Sequence, residues 1–233
     1  MFKRKRQSAT ELASHLSELL TGALGEQLLS LTQFFPFHGS VNEPVKTRLY
    51  LLLLVDTVEV DLLSKCSEVI KEVDGTEVVV PRVMSHSELV ASTDVFPITF
   101  LEMKQHYKVL AGQDYLADLS ISDVHLRLRC EQELRNLLLR MQSSFVLRKH
   151  STAGLLETLS TSIAALQRCQ MAIKLMCYGD EVELQANEDV LRRAEELCNS
   201  SSAVGSEAIT EVYGLLLEDV RRICLLVDNL SVA

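Results

Sequence analysis

"LTQFFPFHGSVNEPVKTRLYLLLLV", residues 31–55, decides how the rest of the chain is read. A β-rich run ends near Phe35, a turn with His38, Gly39 and Ser40 follows, and a second strand starts at Arg48. Leu51 to Val55 is apolar at every position, the pattern of a strand buried on both faces. Its head is different: Arg48 and Tyr50, two apart, share one face, because side chains alternate across a strand.

Working outward, the first half reads as α/β. Leu12, Leu16, Leu19, Leu20 and Leu24 make a helical stripe that closes near Gly25. Residues 27 to 35 are strand-like. Asp61 to Val73 carries Leu62, Leu63, Cys66, Val69 and Ile70, a second amphipathic helix stopped at Asp74-Gly75. A β-rich segment from Glu77 to Val83 follows, then a short helix from Ser87 to Ser92. Phe96 to Met103 is expected as another strand, with Pro97 near its start, where a missing N–H is tolerated.

Past a loop at 112–122 the period changes to that of helices. Leu126, Cys130, Leu134, Leu137, Met141 and Phe145 form one apolar face. Leu155 to Cys177 repeats the habit, Asn187 caps a shorter helix, and Ser206 to Leu230 is the fourth. The breaks fall at Tyr178-Gly179-Asp180 and from Asn199 to Gly205. Short connections predict an antiparallel four-helix bundle. The expected organisation is an α/β domain at 1–121 and a helical bundle domain at 122–233.

Composition narrows the function classes. With 233 residues and 47% apolar side chains, the chain can bury a sizeable core. A net charge of −9 is a poor match for duplex nucleic acid, which is bound through Lys and Arg on phosphates. The basic start, Lys3 to Arg6, reads as a solvated terminus. No apolar run reaches transmembrane length and residues 1–30 lack a signal-peptide pattern. Six cysteines without a C-x-x-C pair read as buried free thiols, which points to a reducing, cytoplasmic setting.

Two stretches carry a resemblance: "STDVFPITFLEMKQHYKVLAGQDYL", residues 92–116, and "LRLRCEQELRNLLLRM", residues 126–141. With the order of elements, they make nearly the whole chain similar to the nucleotidyltransferase superfamily with a helical C-terminal domain. More narrowly, it resembles a bacterial group of nucleotidyltransferase-like proteins. The resemblance implies a mixed sheet with flanking helices, an α+β or α/β fold, followed by the bundle. In active relatives a Gly-Ser turn grips the triphosphate, and Asp-x-Asp on the next strand holds magnesium.

Two registers are possible at the turn. One equates Gly39-Ser40 with the family's Gly-Ser, which shortens the loop before Arg48. The other runs without gaps and puts Phe35-Pro36 there, making Gly39-Ser40 a turn inside the loop; it is the preferred one. In both, Arg48 and Tyr50 take the Asp-x-Asp positions. A third carboxylate, from a Phe-Pro-x-Glu stretch in relatives, is replaced by Thr99 in "FPITF". The degenerate positions are therefore Phe35, Pro36, Arg48, Tyr50 and Thr99. Asp56, Glu59 and Asp61 lie at the strand's far end and read as solubilising acids, and Glu102 as a surface carboxylate paired with Lys104.

Other chemistries have less support. The histidines show no H-x-x-x-H spacing, His38 beside Ser40 lacks an orienting acid, and there is no Walker-type loop or G-x-G-x-x-G. Trp is absent and aromatics are sparse, so no stacking platform for single strands is expected. The expectation is a catalytically inactive protein with no metal and no cofactor, working through a protein partner or self-association. The alternative is a nucleotide-binding or active nucleotidyltransferase that holds phosphate with Gly39, Ser40 and Arg48, or a small-molecule sensor in the same cleft. Leu215, Leu216, Leu217, Leu225 and Leu226 widen the last helix beyond one stripe, which makes it a candidate contact surface.

Overall fold

The computed structural model describes residues 9–36, 48–72, 78–177, 187–200 and 205–230. The basic start, the His38-Gly39-Ser40 turn, the Asp74-Gly75 stop, the Tyr178-Gly179-Asp180 break and Ser201-Ser202 lie outside the described residues. Described residues within Met1–Pro36, Pro44–Thr93 and Thr99–Ser120 make up one compact unit. Those within Asp94–Ile98 and Ile121–Ala233 make up the other.

In the first unit, helix α1 (Ala9–Leu24) leads through a 3-10 turn (Gly25–Gln27) into strand β1 (Leu28–Phe34). Gly25 has φ of +55°, the left-handed conformation that ends helices. Strand β2 (Arg48–Val55), helix α2 (Val60–Glu72) and strand β3 (Val78–Ser85) follow. Then come helix α3 (His86–Ala91), helix α4 (Pro97–Gln105) and strand β4 (Tyr107–Gly112). The sheet order is β3-β2-β1-β4, with β2 and β3 parallel and the other pairs antiparallel.

One face of this sheet carries the apolar core. Leu31, Leu49, Leu51, Leu53 and Val55 pack with Leu12, Leu16, Leu20 and Leu24 of α1 and with Leu62, Cys66 and Val69 of α2. Burial of this kind stabilises by roughly 25 cal/mol per Å² of apolar surface removed from water. The opposite face is also closed along much of its length, with Ser30, Thr32, Phe34, Leu52 and Leu54 all buried.

Residues 96–103 correct the sequence expectation. They do not form a strand: Pro97 opens α4. A proline fits the first helical position, and it disfavours helical backbone at the preceding Phe96. Pro97, Ile98, Phe100, Glu102 and Met103 are all buried, so this helix is buried on several sides and has no single apolar stripe. Glu102 is only 6% exposed, not a surface carboxylate. Lys104 donates instead to the carbonyls of Ala117 and Leu119, at 3.2 and 2.5 Å. The fourth strand is β4, which sequence reasoning passed over. Its Gly112 has φ of +77°, and a Cβ there would lie 2.1 Å from the Leu29 carbonyl oxygen.

The second unit holds helices α5 (Asp123–Arg148), α6 (Thr152–Met176), α7 (Glu188–Asn199) and α8 (Ser206–Asp228). Paired contacts fix their directions. Between α5 and α8, Arg135 bonds Asp228 while the Tyr213 hydroxyl donates to the Met141 carbonyl, so numbers rise on one helix as they fall on the other. Between α6 and α7, Gln167 bonds Glu195 and the Cys198 thiol reaches the Leu156 carbonyl. Between α7 and α8, Arg193 pairs with Glu211, and the Asn187 N–H donates to Asp219. Each of these pairs is antiparallel. Arg148 and Glu157 join α5 to α6 across their short turn.

The bundle core is apolar with a few satisfied polar groups. Asn187 caps α7 by accepting from the Asp189 N–H, as its sequence position predicts. Burial pushes the Tyr213 phenol up to about 12 and the Cys198 thiol up to about 11. The partner Cys169, then burial, raises Cys130. None of the six cysteines is in a disulfide, and all but Cys177 are buried.

Candidate functional site

The sheet face opposite the α1–α2 core carries the residues of interest. Leu49, Leu51, Leu53 and Val55 belong to the core, so alternation puts Arg48, Tyr50, Leu52 and Leu54 on the other side. On β3, Val79 and Val83 pack on the core, which leaves Arg82 on the face of Arg48 and Tyr50. Pairing of Phe34 with Tyr50 and with Tyr107 brings β1 and β4 to the same place.

The contacts there are specific. The rings of Phe34 and Tyr50 are tilted at 46° with centroids 5.7 Å apart. The Arg82 guanidinium lies 5.7 Å from the Phe34 centroid, within the range of a cation–π contact. Arg82 opposes Leu52 and Phe34 opposes Tyr50. The Arg82 side chain therefore crosses β2 diagonally toward its head. Tyr107 donates to Asp114 at 2.9 Å, and burial followed by that carboxylate raises its phenol above the usual value. The backbone N–H groups of Leu116 and Ala117 also donate to Asp114.

The predicted residues are only partly brought together. Arg48 is exposed and Tyr50 half-buried at the head of β2. Phe35 is 50% exposed just past β1, where its N–H donates to the His106 carbonyl at 2.9 Å, and Pro36 follows it. Gly39 and Ser40 are outside the described residues. Thr99 sits on α4, so the strand position it was expected to hold does not exist. Asp56 and Glu59 are exposed, and Asp61 pairs with Lys65.

Arg82 is the residue that sequence reasoning missed. Its signal was a lone charge inside the β-rich run "VVVPRVMS". Alternation alone could have put it on the face opposite Val79 and Val83.

No protein-family model and no curated protein matches the chain. Among solved structures, the chain is similar to the crystal structure of spectinomycin adenyltransferase AAD(9) from Enterococcus faecialis with ATP and spectinomycin. The TM-score is 0.51 at 12% identity, covering 92% of this chain and 100% of that one. The protein thus has a nucleotidyltransferase-like α+β fold, a mixed four-stranded sheet with flanking helices and a mostly helical C-terminal part.

That fold raises the question of magnesium. A hard divalent cation takes oxygen ligands, chiefly carboxylates. The head of β2 offers a guanidinium and a phenol, with a second guanidinium from Arg82 on the same face. Among the described residues, no group of three His, Cys, Asp or Glu side chains is arranged to hold a metal ion. Among the described residues, Arg48, Tyr50 and Arg82 on this face supply no carboxylate for the ion.

Proposed function

We propose that this is a catalytically inactive nucleotidyltransferase-like protein of bacterial type, acting as an interaction, accessory or regulatory subunit. The observation that carries the reading is the cationic pair Arg48 and Arg82 on the face at the head of β2, where the family resemblance puts metal-holding carboxylates. A fixed positive charge opposes a cation by about 1 kcal/mol per unit charge at 4 Å in water and about 4 kcal/mol near a protein surface. Phe35, Pro36 and Thr99 are the other degenerate positions. The proposed organisation is an α/β domain over residues 1–121 and a helical bundle domain over 122–233, working in the cytoplasm. Among the described residues no helix is long and apolar enough to cross a membrane.

Incubation of the full chain with labelled ATP, GTP, CTP and UTP, with magnesium or manganese, tests the reading. The expected result is no transfer to protein, nucleotide or small-molecule acceptors. Metal-dependent transfer that Arg48→Ala abolishes would overturn it. A second reading, phosphate binding by Gly39, Ser40 and Arg48, draws support from Arg82, since two guanidiniums on one face suit an anion. Nucleotide binding that is indifferent to magnesium and lost in Arg48→Ala would favour it.

A further inference from the structure

We infer, on the phosphate-binding reading of this face, that Arg82 is its main anion-binding group and that the ligand is a polyphosphate taken without a metal ion. The starting point is how firmly Phe34 is placed. Phe34 is 2% exposed on β1, an inner strand of the sheet, with Tyr50 of β2 opposite it on one side and Tyr107 of β4 on the other. The Arg82 guanidinium lies over that ring, 5.7 Å from its centroid, on a residue that is itself exposed.

That placement does two things. A guanidinium is planar, so a ring beneath it leaves the N–H edges directed sideways, where they bond an oxyanion in pairs. A side chain already held in place also loses less freedom when a ligand arrives. Arg82 opposes Leu52 and crosses toward the head of β2. Arg48 lies on the same face two residues before Tyr50, roughly 7 Å along the strand. Two guanidiniums spaced along β2 suit an anion that carries charge on more than one phosphate.

The surroundings agree with an anion. At the β4 side of the face, Asp114 accepts from the Tyr107 hydroxyl at 2.9 Å and from the N–H groups of Leu116 and Ala117 at 3.1 and 3.0 Å, so three donors share its charge. The rings of Phe34 and Tyr50, with centroids 5.7 Å apart, are apolar neighbours that lower the local dielectric and strengthen a charged hydrogen bond. The chain as a whole is acidic, with a net charge of −9. General attraction therefore does not draw an anion to it, and binding has to come from these two side chains.

Titration calorimetry of the full chain with inorganic tripolyphosphate, at low salt and with a chelator present, tests this, and the readout does not depend on label transfer. The wild type is expected to bind without added metal, and added magnesium should not tighten the complex. Arg82→Met keeps an apolar stem over Phe34 and removes the charge, and should weaken binding by about tenfold or more. Arg82→Lys keeps the charge but loses the planar fork, and should weaken it comparably. Circular dichroism should be unchanged in both variants, because residue 82 is exposed. Binding that is lost in Arg48→Met but unchanged in Arg82→Met would overturn the role of Arg82 and leave the phosphate-binding reading standing. No binding to the wild type would overturn both. Wild-type affinity in Arg82→Lys, or binding that requires magnesium, would also overturn the inference.

Discussion

Strand β2 changes character along its eight residues: Leu51–Val55 are sealed on both faces, whereas Arg48 is exposed and Tyr50 half-buried at its head. The sealed half meets the demands of folding, which are apolar volume and a register with its neighbours. Those demands are loose about identity, so a run of leucines satisfies them. The head meets different demands. A hard divalent cation is held by oxygen ligands, chiefly carboxylates, and neither Arg48 nor Tyr50 is one. A fold does not by itself fix the chemistry at its edge.

The largest expected effect lies in the sealed half. Leu53→Ala should cost roughly 3–4 kcal/mol, a lost side chain plus a cavity, measured by urea unfolding. Next comes the β1–β4 seam. Gly112→Ala forces a Cβ against the Leu29 carbonyl oxygen at positive φ and should cost about 2–3 kcal/mol. If it is neutral, β4 is not held against β1 as described.

The bundle gives an intermediate effect. Tyr213→Phe removes the hydroxyl bonded to the Met141 carbonyl at 2.7 Å and should cost about 1 kcal/mol near neutral pH. It also carries a pH signature. Burial raises the phenol to about 12, so the fold favours the neutral form. That contribution is fully present below the ordinary value of about 10 and is lost as pH rises through about 12. The stability gap between wild type and Tyr213→Phe should narrow over that window. A gap independent of pH would mean that the phenol is not buried.

Much of the fold was legible in the sequence because its elements obey one period. The α5 stripe from Leu126 to Met141 and the apolar run of β2 each have a single reading. Helix α4 was not legible, since Pro97, Ile98, Phe100, Glu102 and Met103 are buried on several sides of it and leave no one-sided apolar stripe to read. Strand β4 was missed because its six residues, YKVLAG, are short and none is fully buried. At the candidate site, Arg48 and Tyr50 were visible from local alternation. Arg82 was not, because its approach to Phe34 depends on the β2–β3 register and on a side chain that crosses a strand.

Smaller effects come last. Ser85 and Glu88 form a reciprocal cap on α3, with bonds of 3.1 and 2.7 Å, so Ser85→Ala should cost about 1 kcal/mol. Arg48→Ala should change stability by no more than about 0.5 kcal/mol, the usual range for a surface substitution. A large loss there would make the head part of the core and erase the contrast between the two halves of β2.

Calorimetric titration of the wild-type chain with nucleoside triphosphate, with and without magnesium, tests the central claim most directly. The account predicts that magnesium does not tighten binding, because Arg48 and Arg82 hold positive charge on the face where the ion would sit. A magnesium-dependent dissociation constant in the micromolar range would contradict it.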